Sequence, residues 1–436
     1  MPVNHAAILP LVVTQWWYRC GKSVTAREVL GMIRMYSFRL YPTSRQRDAL
    51  TAMLAAHCEL YNAALQERRD AYRKAGATIR ATQQMAQLTD IRTARPDQAV
   101  WSFTSQQQTL RRLDKAFQAF FRRVKAGEKP GYPRFRSAHR FDSVDFRHGD
   151  GVKLATDGCS PGHAALRVQG VGTVKVRLHR PLPEGAKLGQ VSVKREGSGP
   201  RARWHVVLPI EVESEPLPTT GRTIGVDLGV AYLLTASEPV PGLTDTDGHA
   251  PNPRHARAAA DRLTAAQRAL ARCKRGSNRR GKARDRVARL HGVVRRQRLD
   301  TARKAALALT RHANVIVLED LRLTNMVRRP KPKPDDAGGF LPNGAAAKAG
   351  LNRSVHDAGW GVLIGAVLVK AEEAGREVVL VEPANTSRRC HQCGHTAAGN
   401  RVTQAKFQCQ ACGHVDHADR NAALNILRAG TARRPA

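Results

Sequence analysis

The stretch RTIGVDLGV (222–230) places an acidic residue, Asp227, inside an apolar strand-like run flanked by glycines. A carboxylate in such a setting is costly unless it is hydrogen-bonded, paired or metal-bound. Two later segments repeat the arrangement. VIVLEDL (315–321) sets Glu319 directly after four apolar residues that read as a buried parallel strand. HADRNAALNIL (417–427) sets Asp419 at a helix start that Ala422, Ala423 and Ile426 continue. Singly, each has an ordinary reading: a turn residue, half of an ion pair, an N-cap. Gathered together they would repel one another, and a divalent cation resolves that repulsion. Hard oxygen ligands suit Mg2+ or Mn2+, and such a site can generate an attacking hydroxide and stabilise a leaving oxygen in phosphodiester hydrolysis. Asp320 should face the opposite side of its strand and is assigned no role; Asp416 is a backup to Asp419.

Between the second and third of these segments stands a doubled knuckle. Cys390-x-x-Cys393 and Cys409-x-x-Cys412 are separated by fifteen residues, and each pair is followed by Gly and His, as CHQCGH (390–395) and CQACGH (409–414). Four thiolates at this spacing can converge on one tetrahedral Zn2+, with no position open for substrate, so the zinc is expected to be structural. His395 and His414 are possible substitute ligands. A redox CxxC is the competing reading, which the doubling disfavours.

The charge of the chain is one-sided. Of 436 residues, 72 are Lys or Arg and 36 Asp or Glu, a formal net charge of +36, while 42% hydrophobic residues are enough for packed cores. The excess points to a polyanion and, before an anionic membrane surface, to nucleic acid. Residues 254–304 alone hold 18 Lys and Arg against 3 acidic residues. Leu263, Ala266, Leu270, Val287, Leu290 and Val294 keep helical spacing there, and GSNRRG (276–281) divides them, which predicts a basic helical hairpin. Arg279, Arg280 and Lys282 are its candidate nucleic-acid contacts. No run reaches the ~20 apolar residues of a membrane span. The isolated and knuckle cysteines do not form a disulfide framework, and a cytoplasmic protein is expected.

Toward the N-terminus, MYSFRLY (35–41) alternates as a strand should and stops at Pro42. Thr43 or Ser44 then caps a helix carrying Leu50, Met53, Leu54, Leu60, Tyr61 and Leu65. A second helix over 105–124 puts Leu110, Leu113, Phe117, Phe120 and Phe121 on one core-facing stripe. The loop KAGEKPGYPRFRSAHRF (125–141) interleaves basic residues with Tyr132, Phe135 and Phe141, a pattern suited to phosphate contact and base stacking. Residues 142–215 read as short strands of a small barrel or sandwich, and the pattern alternates strand and helix from Arg222. Residues 327–350 read as a flexible Pro/Gly/Ala-rich loop.

GVDLGV, VLEDL, the doubled knuckle and DRNAALNI together resemble the three RuvC motifs and zinc ribbon of the TnpB family. These are transposon-encoded RNA-guided nucleases related to the miniature type V CRISPR effectors. The likeness continues in YSFRLYPTSRQ (36–46), LYNAALQERR (60–69), RRLDKAFQAFFRRVKAGEKPGYPRF (111–135), AGLNRSVHDAGWG (349–361) and NTSRRCHQCG (385–394), spanning residues 35–427. It implies a bilobed α+β multidomain fold. A β-barrel wedge domain would occupy 35–42 and 141–220, a helical recognition domain 43–140, and an RNase H-like (RuvC) α/β nuclease domain 221–389 and 414–428. The basic hairpin at 254–311 belongs to the nuclease domain, the zinc ribbon fills 390–413, and 1–34 and 429–436 are expected to be a leader and a disordered tail.

The same resemblance implies Asp227, Glu319 and Asp419 as catalytic carboxylates binding Mg2+, and a guide RNA and target double-stranded DNA as partners. A short target-adjacent motif would be read by protein within 36–140, where Tyr61, Asn62, Tyr132 and Arg134 are the candidate contacts. The expected activity is RNA-guided DNA cleavage at a single RuvC site by a monomer with its RNA. The alternatives are a CRISPR-associated effector of the same architecture, an RNA-guided repressor that binds without cutting, and a DNA-joining transposase.

Overall fold

The computed structural model describes residues 32–433 except 198, 200, 201, 214, 215 and 337. The expected leader thus lies outside the described residues, save its last three. The described chain divides into two compact units, residues 32–212 with 273–288, and residues 213–272 with 289–433.

In the first unit, β1 (Met32–Tyr41) leads into α1 (Ser44–Ala75). Thr43 caps α1: its hydroxyl accepts from the Gln46 N–H while the Gln46 side chain accepts from the Thr43 N–H. Gly76, at φ 63°, closes the helix. Short helices α2 (Ala81–Ala86), α3 (Leu88–Ala94) and α4 (Pro96–Ala99) precede α5 (Phe103–Lys125). Strands β2 (Ser143–His148), β3 (Gly151–Ala155), β4 (His163–Val168), β5 (Gly172–Arg177), β6 (Gln190–Glu196) and β7 (Arg203–Val212) join β1 in a closed barrel, ordered β1-β5-β4-β3-β2-β6-β7. Closure removes both sheet edges. Alternation fills the interior, since Phe38, Leu40, Trp204, Val206, Leu208 and Ile210 are all buried.

The structure moves several sequence boundaries. β1 starts at Met32, not 35, because Met32, Ile33 and Arg34 pair with Val212, Glu211 and Ile210 of the long β7. Those added residues bury no side chain, so their pattern carries no core signal. On α5 the apolar stripe is only partly core. Leu110, Leu113 and Phe117 are buried, whereas Phe121 is 58% exposed, because the stripe outlasts the surface it packs on.

The second unit is built on β8 (Thr223–Asp227), β9 (Tyr232–Ala236) and β10 (His249–Pro251). Helices α6 (His255–Ala258), α7 (Ala260–Ala271) and α8 (Asn278–His312) follow, then β11 (Val315–Glu319) and α9 (Leu323–Met326). Residues 327–350 are not wholly a loop: β12 (Lys333–Pro334) pairs with β13 (Phe340–Leu341), and α10 (Ala345–Ala358) begins at 345. α11 (Trp360–Glu373), β14 (Glu377–Val381), the hairpin β15 (Lys406–Gln408) with β16 (Val415–His417), and α12 (Ala418–Ala432) complete it. The sheet order is β10-β9-β8-β11-β14, with β8, β11 and β14 parallel and β9 and β10 antiparallel. The basic hairpin is not one block either, since residues 273–288 group with the first unit.

α12 crosses the sheet at two glycines. A Cβ on Gly225 of β8 would lie 2.3 Å from the Ala423 carbonyl oxygen, and one on Gly430 2.4 Å from Val317 Cγ2 of β11. Only bare backbone allows that approach. Packing on β11 also carries the helix to Ala432, through the first half of the expected disordered tail; 434–436 lie outside the described residues.

Candidate active site and zinc centre

Asp227 and Glu319 are the last residues of the parallel neighbours β8 and β11, whose register pairs Val226 with Leu318. Both therefore emerge at the carboxyl end of the sheet, where open α/β sheets hold their ligands. The approach of α12 over Gly225 adds Asp419 from the first turn of that helix. The three residues suggested by the sequence are thus brought to one place. Burial, then the negative charges of Glu319 and Asp419, push the Asp227 carboxyl up to about 8, against the opposing pull of Arg401. Burial also raises Glu319, with the Thr386 hydroxyl acting the other way through a 2.6 Å hydrogen bond. Asp419 is buried and meets Arg401 Nη2 at 3.2 Å. The carboxylates are not drawn tightly together: their oxygens do not all lie within 4.8 Å of one another. Asp320 is exposed and its N–H bonds to Val381 O.

Arg401 and Thr386 were missed in the sequence reading. Arg401 sits in the ribbon, eighteen residues before its partner, and Thr386 precedes the first knuckle. Neither occupies a patterned element, so only NTSRRC (385–390) in the resemblance hinted at Thr386. A ring stack was also missed. Tyr232 and His249 lie parallel with centroids 4.2 Å apart, and His417 meets His249 edge-on at 4.4 Å. The His417 ring accepts from the Asp419 N–H at 3.3 Å, and His249 Nδ1 is 3.0 Å from the Thr235 hydroxyl. Thr235 is the register partner of Asp227, so this chain of contacts ties the strand pair holding one carboxylate to the helix holding another.

The four knuckle cysteines converge, with all sulfur atoms within 4.8 Å of one another. Cys390 Sγ stands 3.8 Å from Cys412 Sγ, and Cys393 Sγ 3.5 Å from Cys409 Sγ. Four sulfurs about 2.3 Å from a tetrahedral zinc lie roughly 3.8 Å apart, so the donor set fits that ion. The N–H groups of Cys412 and Ala411 favour thiolate at Cys409, lowering its pKa to about 6. Asn421 and Asn425 of α12 donate to Arg389 O at 2.8 and 2.6 Å, fastening the ribbon to the helix that bears Asp419.

The expected nucleic-acid contacts divide. Tyr61 is 2% exposed, with its ring 6.2 Å from Phe141, which makes it a core residue and not the candidate contact to the target-adjacent motif. Both ends of the Asn62 amide are taken by the backbone of Arg136, which fixes the 125–141 loop. Tyr132 is 44% exposed and packs edge-on against Phe117 and Phe120, and Arg134 is exposed beside it. Arg279 and Lys282 are exposed; Arg280 donates to Cys273 O.

Comparison with known proteins adds the lineage. Residues 207–329 match the family profile "Probable transposase", 32–77 match "Helix-turn-helix domain", and 360–426 match "Cas12f1-like, TNB domain". The chain is 30% identical over 408 residues to the "Putative RNA-guided DNA endonuclease InsQ" of Escherichia coli (strain K12), covering 92% of this chain and 93% of that protein. The chain belongs to the TnpB family. A Streptomyces pristinaespiralis TnpB relative, named "Putative RNA-guided DNA endonuclease", is 30% identical over 409 residues, covering 92% and 90% of the two chains. The fold is shared with the protein in a "Cas12f1-sgRNA-target DNA complex", at TM-score 0.57 and 13% identity over 91% of this chain and 99% of that one. Among the described residues of this TnpB chain, no helix is long and apolar enough to cross a membrane.

Proposed function

We infer that the chain is an RNA-guided DNA endonuclease that acts in the cytoplasm as a monomer with its guide RNA. It cleaves double-stranded DNA beside a short target-adjacent motif, at a single RuvC-type site. The observation that carries the reading is the meeting of Asp227, Glu319 and Asp419 at the carboxyl end of the parallel strands, within a chain homologous along nine-tenths of its length to proteins named for this activity.

The donor set suits Mg2+ or Mn2+: three carboxylates, one of them held near pKa 8 by burial and by its neighbours' charge, make a site short of positive charge. A divalent cation held by these residues lowers the pKa of an attacking water and offsets charge on the leaving oxygen. To hold such a cation, Asp227 would have to be deprotonated, against the burial and neighbouring charge that raise its pKa. Thr386 fixes the Glu319 rotamer, and Arg401 supplies a guanidinium fork beside Asp419. Cys390, Cys393, Cys409 and Cys412 would hold a structural zinc that closes the ribbon, and Asn421 and Asn425 fasten that ribbon to the start of α12. Base pairing with the guide selects sequence, and the protein holds the heteroduplex by its backbone.

Plasmid cleavage with the copurifying RNA tests this. Asp227→Ala should abolish cutting while RNA and target binding persist, and excess EDTA should do the same without unfolding the chain. Loss of RNA binding in the variant, or undiminished cutting in EDTA, would overturn the assignment.

A further inference from the structure

Beside the four-cysteine centre, and using none of its sulfurs, lies a second group of ligand-bearing side chains. The donor atoms of His391, His414 and Asp416 all fall within 4.8 Å of one another. His391 comes from the first knuckle, His414 follows the second, and Asp416 lies on β16.

We propose that these three residues form a second metal site, for a borderline transition cation such as Zn2+. Two imidazoles and one carboxylate are the donor set such cations favour, with a fourth position left for water. The histidines are prepared for the role. His391 Nδ1 is 3.2 Å from Asn421 Oδ1, and that oxygen also accepts from the His391 backbone N–H at 3.0 Å. The Asn421 amide is oriented by its own donation to Arg389 O, so its oxygen can only accept. His391 Nδ1 therefore carries the proton, and Nε2 is left with its lone pair. An outer amide setting the tautomer of a ligating histidine is a recurrent feature of metal sites.

On the other side of the group, His414 Nε2 is buried without a hydrogen-bond partner and stands 3.9 Å from Asp416 Oδ2. The two rings are 4.6 Å apart at 81°, so neither blocks the other. Asp416 Oδ1 accepts from the His417 N–H at 2.7 Å and faces Arg420 Nη1 at 3.8 Å, which leaves Oδ2 for the ion. Ligand atoms about 2.0–2.2 Å from one ion lie roughly 3.3 Å apart. Small rotations of the two rings close that gap. The ion would brace both knuckles against β16 and, through Asn421, against the turn of α12 that carries Asp419.

The full chain with its copurifying RNA, stripped of metal and titrated with Co2+, provides the test. The first equivalent should give the strong thiolate charge-transfer band of the cysteine centre. A second equivalent should add weak d–d absorption without more charge transfer. In His414→Ala and Asp416→Asn the first phase should remain and the second vanish, and zinc per chain should fall from two to one. Saturation of the wild type at one equivalent would overturn the site. So would a second phase unaltered in both variants, or loss of both phases together in both variants.

Discussion

Asp227 is held in tension with its surroundings. Its pKa of about 8 means that the metal-free folded chain keeps a proton which the unfolded chain releases near the ordinary carboxylate value. Stability from that proton is complete at low pH and is lost as pH rises through about 8. Asp227→Asn removes the penalty, so in EDTA the variant should be more stable than wild type by about 0.5–2 kcal/mol at neutral pH, with no cleavage. The difference in melting temperature should widen from pH 5 to pH 8; a gap that stays constant would show that the carboxyl is not desolvated. Arg401 lowers the Asp227 pKa, so Arg401→Ala should move the pH midpoint of Mg2+-dependent cleavage upward. An unmoved midpoint would separate Arg401 from the cluster's electrostatics.

Among the elements, α12 decides the site. Its seat on the sheet depends on Gly225 and Gly430, where a Cβ would overlap Ala423 O or the Val317 side chain. Gly225→Ala should displace the helix, reduce cleavage at least tenfold and lower stability by about 1–3 kcal/mol, the usual cost of overpacking. Normal cutting with normal melting would mean that Asp419 does not rely on that approach. The ribbon fastens the other side of the same helix, so Cys390→Ser should lower both melting temperature and cutting. In His249→Ala the loss should fall on Mg2+ dependence, because Thr235, His249 and His417 link the supports of Asp227 and Asp419. Equal activity at limiting and saturating Mg2+ in that variant and wild type would count against the link.

At the scale of the whole chain the +36 charge is the dominant quantity. Binding of guide and target should weaken by roughly 10³–10⁵ between 50 and 200 mM salt if about 6–10 phosphates are neutralised. A flat dependence would remove backbone contact as the use of that charge. Composition, period-2 and helical patterning, and the spacing of the cysteines were enough to place most of the barrel strands, α1, the sheet strands β8 and β11, and the four thiolates, but not β9, β10 or β14. They are local properties, visible wherever an apolar face or a ligand pair repeats. The sequence also singled out Asp227, Glu319 and Asp419, because a charge inside an apolar run is conspicuous by itself. What surrounds them was decided only in three dimensions. Arg401, Thr386 and the imidazole stack reach the site from loops and from the three-residue strands β10 and β16, where no periodicity marks them. Phe121 left its expected place because a helical stripe specifies a face, and only packing determines how far along that face the core extends, whereas Tyr61 is core as its own stripe implies and not a nucleic-acid contact.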